Sequence, residues 1–286
     1  MKVSISNSFL KISVLTKGAE LCSIESLANS KEYIWEGNPS YWGKHSPVLF
    51  PIVGTLKNNR YCYNGVEYDL LRHGFARDHE FELIHEEANK VVFSLKSNDS
   101  TIKLYPFDFE LQIGYTLNEQ QLTVSYTVIN NGGVRMPFSI GAHPAFALPN
   151  SFDKYTLAFE HSERLNCYPL KDDLIDDTPY TIELKDKKIA LDYGLFEKDA
   201  LIFKQLQSKE ISILENNQAV VKVDFADFES LGIWTKPGAG FICIEPWLGY
   251  SDRKDASGNI EEKEGIIFVS AKDSYKCQFR IEIVER

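Results

Sequence analysis

A histidine and a glutamate, each followed directly by proline, are the residues of this sequence best suited to moving protons. His143 stands among small residues in Gly141-Ala-His-Pro-Ala-Phe146, and the following proline restricts its backbone. Glu245 ends an apolar run, where a carboxylate is costly unless it is paired or functional. The two side chains could serve as general acid and general base near neutral pH.

Basic residues earlier in the chain form a second group of candidates. Arg60 and His73 lie on either side of an Asn64-Gly65 turn. This dipeptide is typical of a two-residue hairpin, which we expect to bring both side chains to one end of a sheet.

The segments that must position these residues follow a period of two, as half-buried strands do. Turn dipeptides such as Asn64-Gly65 and Pro237-Gly238 separate many of them. The pattern predicts a single all-β domain over residues 1–286, either a sandwich or a barrel. A short helical turn is expected at residues 39–42, and charged surface loops at 171–173, 185–188 and 252–265. The predicted strands cover residues 9–15, 21–27, 81–84, 90–95, 109–117, 121–129, 155–160, 210–214, 220–225, 240–244, 265–270 and 275–284.

Four motifs in this order resemble the aldose 1-epimerase (galactose mutarotase-like) family, and most closely its bacterial LacX-like branch. They are Asn-Arg ending at Arg60, His-Gly-Phe from His73, the Gly-Ala-His-Pro-Ala-Phe run around His143, and Ile-Glu-Pro-Trp ending at Trp247. The phrase from Tyr105 to Leu111 also resembles that family. The resemblance covers about residues 46–250 and implies a large antiparallel β-sandwich, the galactose mutarotase-like supersandwich.

The resemblance implies an isomerase that interconverts the α and β anomers of a hexose, and it assigns roles to the residues that match the family's motifs. It makes Glu245 the base that takes the anomeric proton, and His143 the acid that protonates the ring oxygen. It assigns sugar binding to Arg60 and His73, with a looser match for Asp199. This chemistry requires no cofactor, and no metal motif is present.

The run His-Gly-Phe-Ala-Arg from His73 to Arg77 also resembles the hexose-6-phosphate mutarotase branch. Arg77, together with Arg72 or Lys57, could supply the cations that a sugar phosphate needs. The substrate is therefore either a free hexose or its 6-phosphate. A non-catalytic carbohydrate-binding or sensing protein is a third possibility, because one fold can carry several functions.

Structural interpretations compete with each of these functional ones. His143 could be a core histidine, and Glu245 could belong to a buried ion pair, for instance with Arg60. Arg77 could simply pair with an acidic neighbour, and Trp247, a candidate sugar platform, could be packing. The other histidines (His45, His79, His85 and His161) and the charged residues Asp252, Arg253 and Asp255 are expected to be structural or solvated.

Composition limits the possible partners. The net charge of −10 disfavours binding to nucleic acid or anionic membranes. Five separated cysteines without a CxxC pair indicate reduced thiols, and the N-terminus lacks the apolar run of a signal peptide. We therefore expect a cytoplasmic protein, monomeric or homodimeric, whose partner is a small sugar.

Overall fold

The computed structural model describes residues 1–284, so the last two residues of the predicted domain lie outside the described part. Strands dominate, and one four-residue α-helix, α1 (Asp99–Ile102), occurs among the described residues. Short 3₁₀ turns occur at Lys57–Asn59, Ala76–Asp78, Phe152–Lys154, Tyr193–Phe196 and Ile260–Glu262. No helix in residues 1–284 has the length to cross a bilayer.

The strands of the first half of the chain are β1 (Lys2–Ser6), β2 (Leu10–Leu15), β3 (Glu20–Ser26), β4 (Val48–Leu49), β5 (Arg60–Tyr63), β6 (Val66–Asp69), β7 (Glu82–Glu87), β8 (Lys90–Lys96), β9 (Phe109–Asn118), β10 (Gln121–Asn130), β11 (Met136–Phe138), β12 (Ile140–Ala142) and β13 (Ala145–Ala147). Those of the second half are β14 (Tyr155–Phe159), β15 (Leu165–Cys167), β16 (Leu170–Lys171), β17 (Leu174–Ile175), β18 (Tyr180–Ile182), β19 (Lys188–Ala190), β20 (Leu201–Phe203), β21 (Glu210–Glu215), β22 (Gln218–Asp224), β23 (Ser230–Trp234), β24 (Phe241–Leu248), β25 (Ile267–Val269) and β26 (Ser274–Ile283).

Two large sheets organise these strands. One has nine strands in the order β19-β14-β21-β22-β26-β10-β9-β8-β7, and the other has the order β20-β23-β24-β12-β4, with β13 also pairing with β24. Neighbouring strands in both sheets are antiparallel. One apolar cluster contains residues of both sheets, such as Val124 of β10 and Ile244 of β24, so the sheets pack against each other. The predicted antiparallel β-sandwich is confirmed.

Alternation made the long strands predictable. Along β10 half-buried and buried residues alternate without a break, as expected for a strand with one face in the core. The predicted strands all coincide with observed ones, with ends shifted by a few residues. Residues 39–42 form a single turn closed by amide hydrogen bonds from Tyr41 and Trp42 to the Asn38 carbonyl, and not a helix.

The charged segment that begins at Asp252 differs from its prediction. Asp252 is buried, and its carboxylate accepts a hydrogen bond of 2.9 Å from the buried ammonium of Lys263. It also accepts one from the Lys57 amide. The expectation of a solvated Asp252 is wrong, because the loop folds back and neutralises a lysine inside the protein. Arg253 and Asp255 are partly or fully exposed and pair with each other, as expected of a solvated loop.

The cysteines agree with the sequence-based expectation. All five are free, and Cys167, Cys243 and Cys277 are buried.

Candidate active site

The central strand of the second sheet carries the carboxylate of Glu245 into a cavity. Glu245 lies opposite Gly232 of β23, and the two flanking segments β12 and β13 place His143 between them. The His143 Nε2 lies 3.2 Å from the Glu245 Oε2, and the Glu245 side chain is almost completely buried. The sequence prediction that these two motifs converge therefore agrees with the geometry.

Aromatic rings fix the plane of the His143 imidazole. The Trp42 indole stacks on it with a centroid separation of 4.8 Å, and the Trp234 indole meets it edge-on at 5.8 Å. The His73 imidazole approaches in a similar edge-on manner at 6.0 Å. These contacts restrict the ring to one orientation, with its Nε2 towards Glu245.

His73 adopts an unusual backbone conformation to reach this position. Its φ is +68°, in the left-handed region that side chains other than glycine seldom adopt. The buried ring is held by the Gly54 amide, which donates a hydrogen bond of 3.1 Å to Nδ1. The Arg72 Nε also donates towards Nε2, 3.3 Å away. A neutral imidazole accepts a hydrogen bond at only one nitrogen, so only one of these two bonds can form at a time. With the Gly54 bond in place, Nε2 carries the proton and can donate to a ligand.

Trp247 lies flat against the sheet because both neighbouring strands have glycine beneath its indole. A Cβ on Gly232 would lie 2.5 Å from its Cζ2, and one on Gly141 would lie 2.6 Å from its Cδ1. The indole packs in an apolar cluster with residues such as Leu49 and Ile202 and also lines the cavity. Trp247 therefore packs in the apolar cluster and also forms part of the cavity wall. Both interpretations of this residue from the sequence, packing and a site residue, are compatible with its position.

The cavity has a volume of about 280 Å³ and combines charged groups with indole rings. Besides His143, Glu245 and Trp247, it is lined by Trp42, Arg72, His73, Arg77, Asp199, Ala200 and Trp234. A small, partly aromatic pocket with a few converging polar groups is typical of a small-molecule site.

Asp199 and two arginines set the charge at the cavity mouth. Arg72 Nη1 lies 2.8 Å from the Asp173 carboxylate and 4.0 Å from that of Asp199. Asp199 has a φ of +76°, and its carboxylate accepts a hydrogen bond from the next amide. Arg77 donates to the Arg72 carbonyl, while its Nε is buried without a hydrogen bond and lies 3.8 Å from Asp78.

Arg60 is the one predicted site residue that does not line the cavity. Register in the β5–β6 hairpin places it opposite Asp69, and its half-exposed guanidinium pairs with Asp69 and Glu67. The Asn64-Gly65 turn does form the expected hairpin, but the acidic neighbours across it hold the arginine outside. The arginines at the cavity are Arg72 and Arg77, which the sequence suggested only as possible phosphate ligands.

The sequence analysis missed Trp42 and Trp234 as site residues. Trp234 is the last residue of β23, opposite Cys243 of β24, so it follows from the strand pairing and not from any local motif. Trp42 lies in the turn after Asn38, and no sequence motif indicated that it is a site residue.

Burial dominates the ionisation of the central pair. It raises the pKa of Glu245 well above its ordinary value, an effect that Arg72 opposes and Asp199 reinforces. It lowers the pKa of His143 to about 3, and the Arg72 charge acts in the same direction. Burial also lowers the pKa of His73 well below its ordinary value. Both shifts favour the uncharged forms of the pair, a neutral imidazole and a protonated carboxyl group.

One group of atoms, from two cavity residues and the buried Cys243 beside them, could ligate a metal. His143, Cys243 and Glu245 each offer a donor atom, and these atoms lie within 4.8 Å of one another. Metal binding would require the Cys243 thiolate, but burial and the neighbouring Glu245 raise the pKa of this thiol well above its ordinary value. The donor set therefore favours protonated, metal-free side chains.

Comparisons with known proteins agree with this architecture. Residues 1–266 match the family model described as aldose 1-epimerase, and the chain belongs to that family. It is 33% identical to the plasmid-encoded protein LacX of Lactococcus lactis subsp. lactis over 301 aligned residues, covering 99% of this chain and all of LacX.

Solved structures show the same fold over the full length. The X-ray structure of a galactose mutarotase related enzyme from Lactobacillus acidophilus has a TM-score of 0.95 at 35% identity, covering 100% of this chain and 98% of the other. A galactose mutarotase-like protein from Lactobacillus casei has a TM-score of 0.92 at 27% identity, covering 99% and 100%. The predicted galactose mutarotase-like fold is confirmed.

Proposed function

We propose that this protein is an aldose 1-epimerase that interconverts the α and β anomers of a hexose by opening and closing its pyranose ring. The observation that carries the proposal is the His143 Nε2–Glu245 Oε2 distance of 3.2 Å inside an aromatic-walled cavity. Opening a hemiacetal removes a proton from O1 and adds one to O5. One base and one acid close together are therefore sufficient.

In the proposed mechanism Glu245 removes the proton from O1 while His143 protonates O5 as the C1–O5 bond breaks. Rotation about C1–C2 then presents the other face of the aldehyde. Ring closure follows, with the two residues exchanging roles. On closure Glu245 returns a proton to O1 and His143 takes one from the C5 hydroxyl, so each residue ends the cycle in the state in which it began.

To act as base and acid, Glu245 must be ionised and His143 protonated, a state that proton transfer from the carboxyl group to the imidazole produces. The short distance between the two atoms allows this transfer, and it produces a carboxylate beside an imidazolium. Attraction between these two charges offsets part of the cost of ionising them in a buried site. Arg72, whose charge lowers the pKa of Glu245, favours the same state.

The remaining cavity residues bind and orient the sugar. His73 donates from Nε2 to a ring or hydroxyl oxygen, and Asp199 and Arg72 bind hydroxyl groups at the mouth. Trp247 and Trp234 offer apolar surface for the C–H face of the pyranose.

A hexose 6-phosphate is the second candidate substrate, favoured by the presence of both Arg72 and Arg77 at one cavity. The Arg77 guanidinium, which donates to the Arg72 carbonyl and pairs with Asp78, could also bind an anionic oxygen. Affinity for a phosphorylated sugar would weaken as salt increases, whereas affinity for a neutral sugar would not.

Anomer exchange measured by NMR over a panel of aldoses and their 6-phosphates tests the proposal. Enzyme-dependent exchange for at least one of them is expected. Binding of these sugars without any acceleration of exchange would instead identify a non-catalytic sugar-binding protein on this fold.

A further inference from the structure

A buried ion pair outside the cavity has no role in the mechanism above. Asp252 and Lys263 both belong to the loop between β24 and β25, and both side chains are almost completely buried. The Lys263 ammonium donates to the Asp252 carboxylate and to the Tyr250 carbonyl, so it holds the start of this loop in place. Because burying two charges costs free energy, the segments that the pair fixes explain it better than stability alone.

The pair joins its loop to the segment between β4 and β5. The Asp252 carboxylate accepts a hydrogen bond of 2.9 Å from the Lys57 amide, and the Asp252 amide donates to the Thr55 carbonyl at 2.8 Å. Between them, the hydroxyl of the buried Ser251 accepts a hydrogen bond of 2.9 Å from the Thr55 amide. Two stretches of backbone that are distant in the sequence are thus fixed against each other.

Gly54, the residue before this connection, is in close contact with Ser251. Its φ is +74°, and a Cβ at this position would lie 2.3 Å from the Ser251 Oγ and 2.4 Å from the Ser251 amide nitrogen. Only glycine allows the two backbones to approach so closely in this conformation. The position of Ser251 therefore determines the position of Gly54.

Gly54 in turn holds His73 at two points. The His73 amide donates to the Gly54 carbonyl at 2.8 Å, and the Gly54 amide donates to His73 Nδ1 at 3.1 Å. The second bond selects the tautomer with its proton on Nε2, whereas the competing bond from Arg72 Nε would select the tautomer with its proton on Nδ1. The placement of one backbone amide therefore decides whether His73 can donate to a ligand from Nε2.

We infer that the Lys263–Asp252 pair and the Ser251 hydroxyl are positioning groups for His73. They hold the Gly54 amide against Nδ1, so that Nε2 keeps its proton in the cavity that His73 lines. This inference rests on the proposed function for the sugar that receives the hydrogen bond, whereas the tautomer of His73 is measurable without a sugar.

The ring-nitrogen chemical shifts of His73, measured by NMR on the ligand-free protein at neutral pH, report the tautomer. In the wild type we expect the form with its proton on Nε2 to dominate. Ser251→Ala removes the acceptor of the Thr55 amide and so loosens Gly54. Loss of one hydrogen bond shifts a two-state equilibrium about two- to tenfold, so the ratio of the Nδ1–H form to the Nε2–H form should rise by about that factor.

Ser208→Ala is the matched control for this measurement. Ser208 is also buried, and its hydroxyl likewise accepts a hydrogen bond from a backbone amide, that of His161. Asp252→Asn, which removes the charge but keeps the shape of the side chain, should change the ratio in the same direction as Ser251→Ala. An unchanged ratio in either folded variant, or an equal change in Ser208→Ala, would overturn the inference.

Anomer exchange of D-galactose and D-glucose separates an effect through His73 from a general loss of structure. Ser251→Ala should lower kcat/KM about two- to tenfold in the wild-type background. In a His73→Ala background the same substitution should lower it less than about twofold, because residues that act through one another are not additive. Equal losses in both backgrounds would overturn the inference while leaving the proposed function intact. Absence of exchange for every sugar would refute the proposed function instead, and the tautomer ratio would still decide the role of Ser251.

Discussion

His143 and Glu245 meet with their nearest side-chain atoms 3.2 Å apart, although they come from separate motifs of the chain. Glu245 is fixed by strand pairing in the centre of a sheet, whereas His143 is fixed by Trp42 and Trp234. His143 Nδ1 and Glu245 Oε2 are both buried, and neither forms a hydrogen bond within residues 1–284. Such unsatisfied polar atoms are costly in a folded protein, which supports a functional role for the pair.

The lowered pKa of His143 should make folding less favourable in acid. Its folded-state pKa is about 3, whereas an unfolded histidine titrates near 6.5. Between these values the unfolded chain binds a proton that the folded chain does not, so this group's contribution to the free energy of unfolding decreases as the pH falls below about 6.5. From pH 8 to pH 5 we expect a loss of about 2 kcal/mol.

The measurement is best made in a Glu245→Gln background, since titration of Glu245 has the opposite sign. The free energy of unfolding is measured in urea at pH 8 and at pH 5. Adding His143→Asn to the Glu245→Gln variant should reduce the difference between the two values by about 2 kcal/mol. An unchanged pH dependence would show that His143 titrates normally in the folded protein.

Gly232 should be needed to seat the Trp247 indole. The Cβ of Gly232→Ala would lie 2.5 Å from the indole, so the ring or the strand must move. We expect a loss of about 1–3 kcal/mol in the free energy of unfolding, together with weaker sugar binding. Gly133→Ala is the control, because a Cβ there meets nothing within 4 Å. Equal stability of the two variants would contradict this packing.

Asp252 should be a strong stabilising residue, because its removal leaves the buried Lys263 ammonium without its anionic partner. Burial already lowers the pKa of Lys263, and Asp252 is the main group that opposes this. For Asp252→Ala we expect a loss of about 3–5 kcal/mol in unfolding free energy. Asp255→Ala, which breaks an exposed pair with Arg253, should cost at most about 1 kcal/mol. Similar costs for both would place Asp252 in solvent after all.

Arg72 and Arg60 should differ sharply in their effect on activity. Arg72→Ala removes a cavity donor and the charge that favours the Glu245 carboxylate, so kcat/KM should fall about ten- to hundredfold. Arg60→Ala should have an effect of less than about twofold, because this residue only pairs with Glu67 and Asp69 on the surface. A larger effect for Arg60→Ala would show that the hairpin moves over the site when sugar binds.

Long strands and the central pair were predictable from the sequence for clear physical reasons. A strand such as β10 shows its two faces as strict alternation, and Pro144 and Pro246 mark the two proposed catalytic side chains as rigidly held. The short strands β11 to β13 and β15 to β20 escaped prediction, because two or three residues are too few to show a period.

The parts of the site that were not predictable depend on pairing between distant segments. Arg60 was expected to reach the site because only a hairpin turn separates it from His73 in the sequence. The register of that hairpin instead places it beside acidic residues on the surface. Trp234 reaches the cavity only because β23 pairs with β24. Asp252 resembled a solvated residue because its partner, Lys263, lies beyond a loop whose path the local sequence does not specify.

The central claim, that His143 and Glu245 act together as acid and base, is tested most directly by anomer exchange in two variants that cannot transfer the proton. Glu245→Gln keeps the shape of the side chain, and His143→Asn replaces the imidazole by a smaller polar group. Each should lower kcat by about 10²–10⁴-fold, while the fold seen by circular dichroism is retained. Exchange at the wild-type rate in either folded variant would contradict the mechanism.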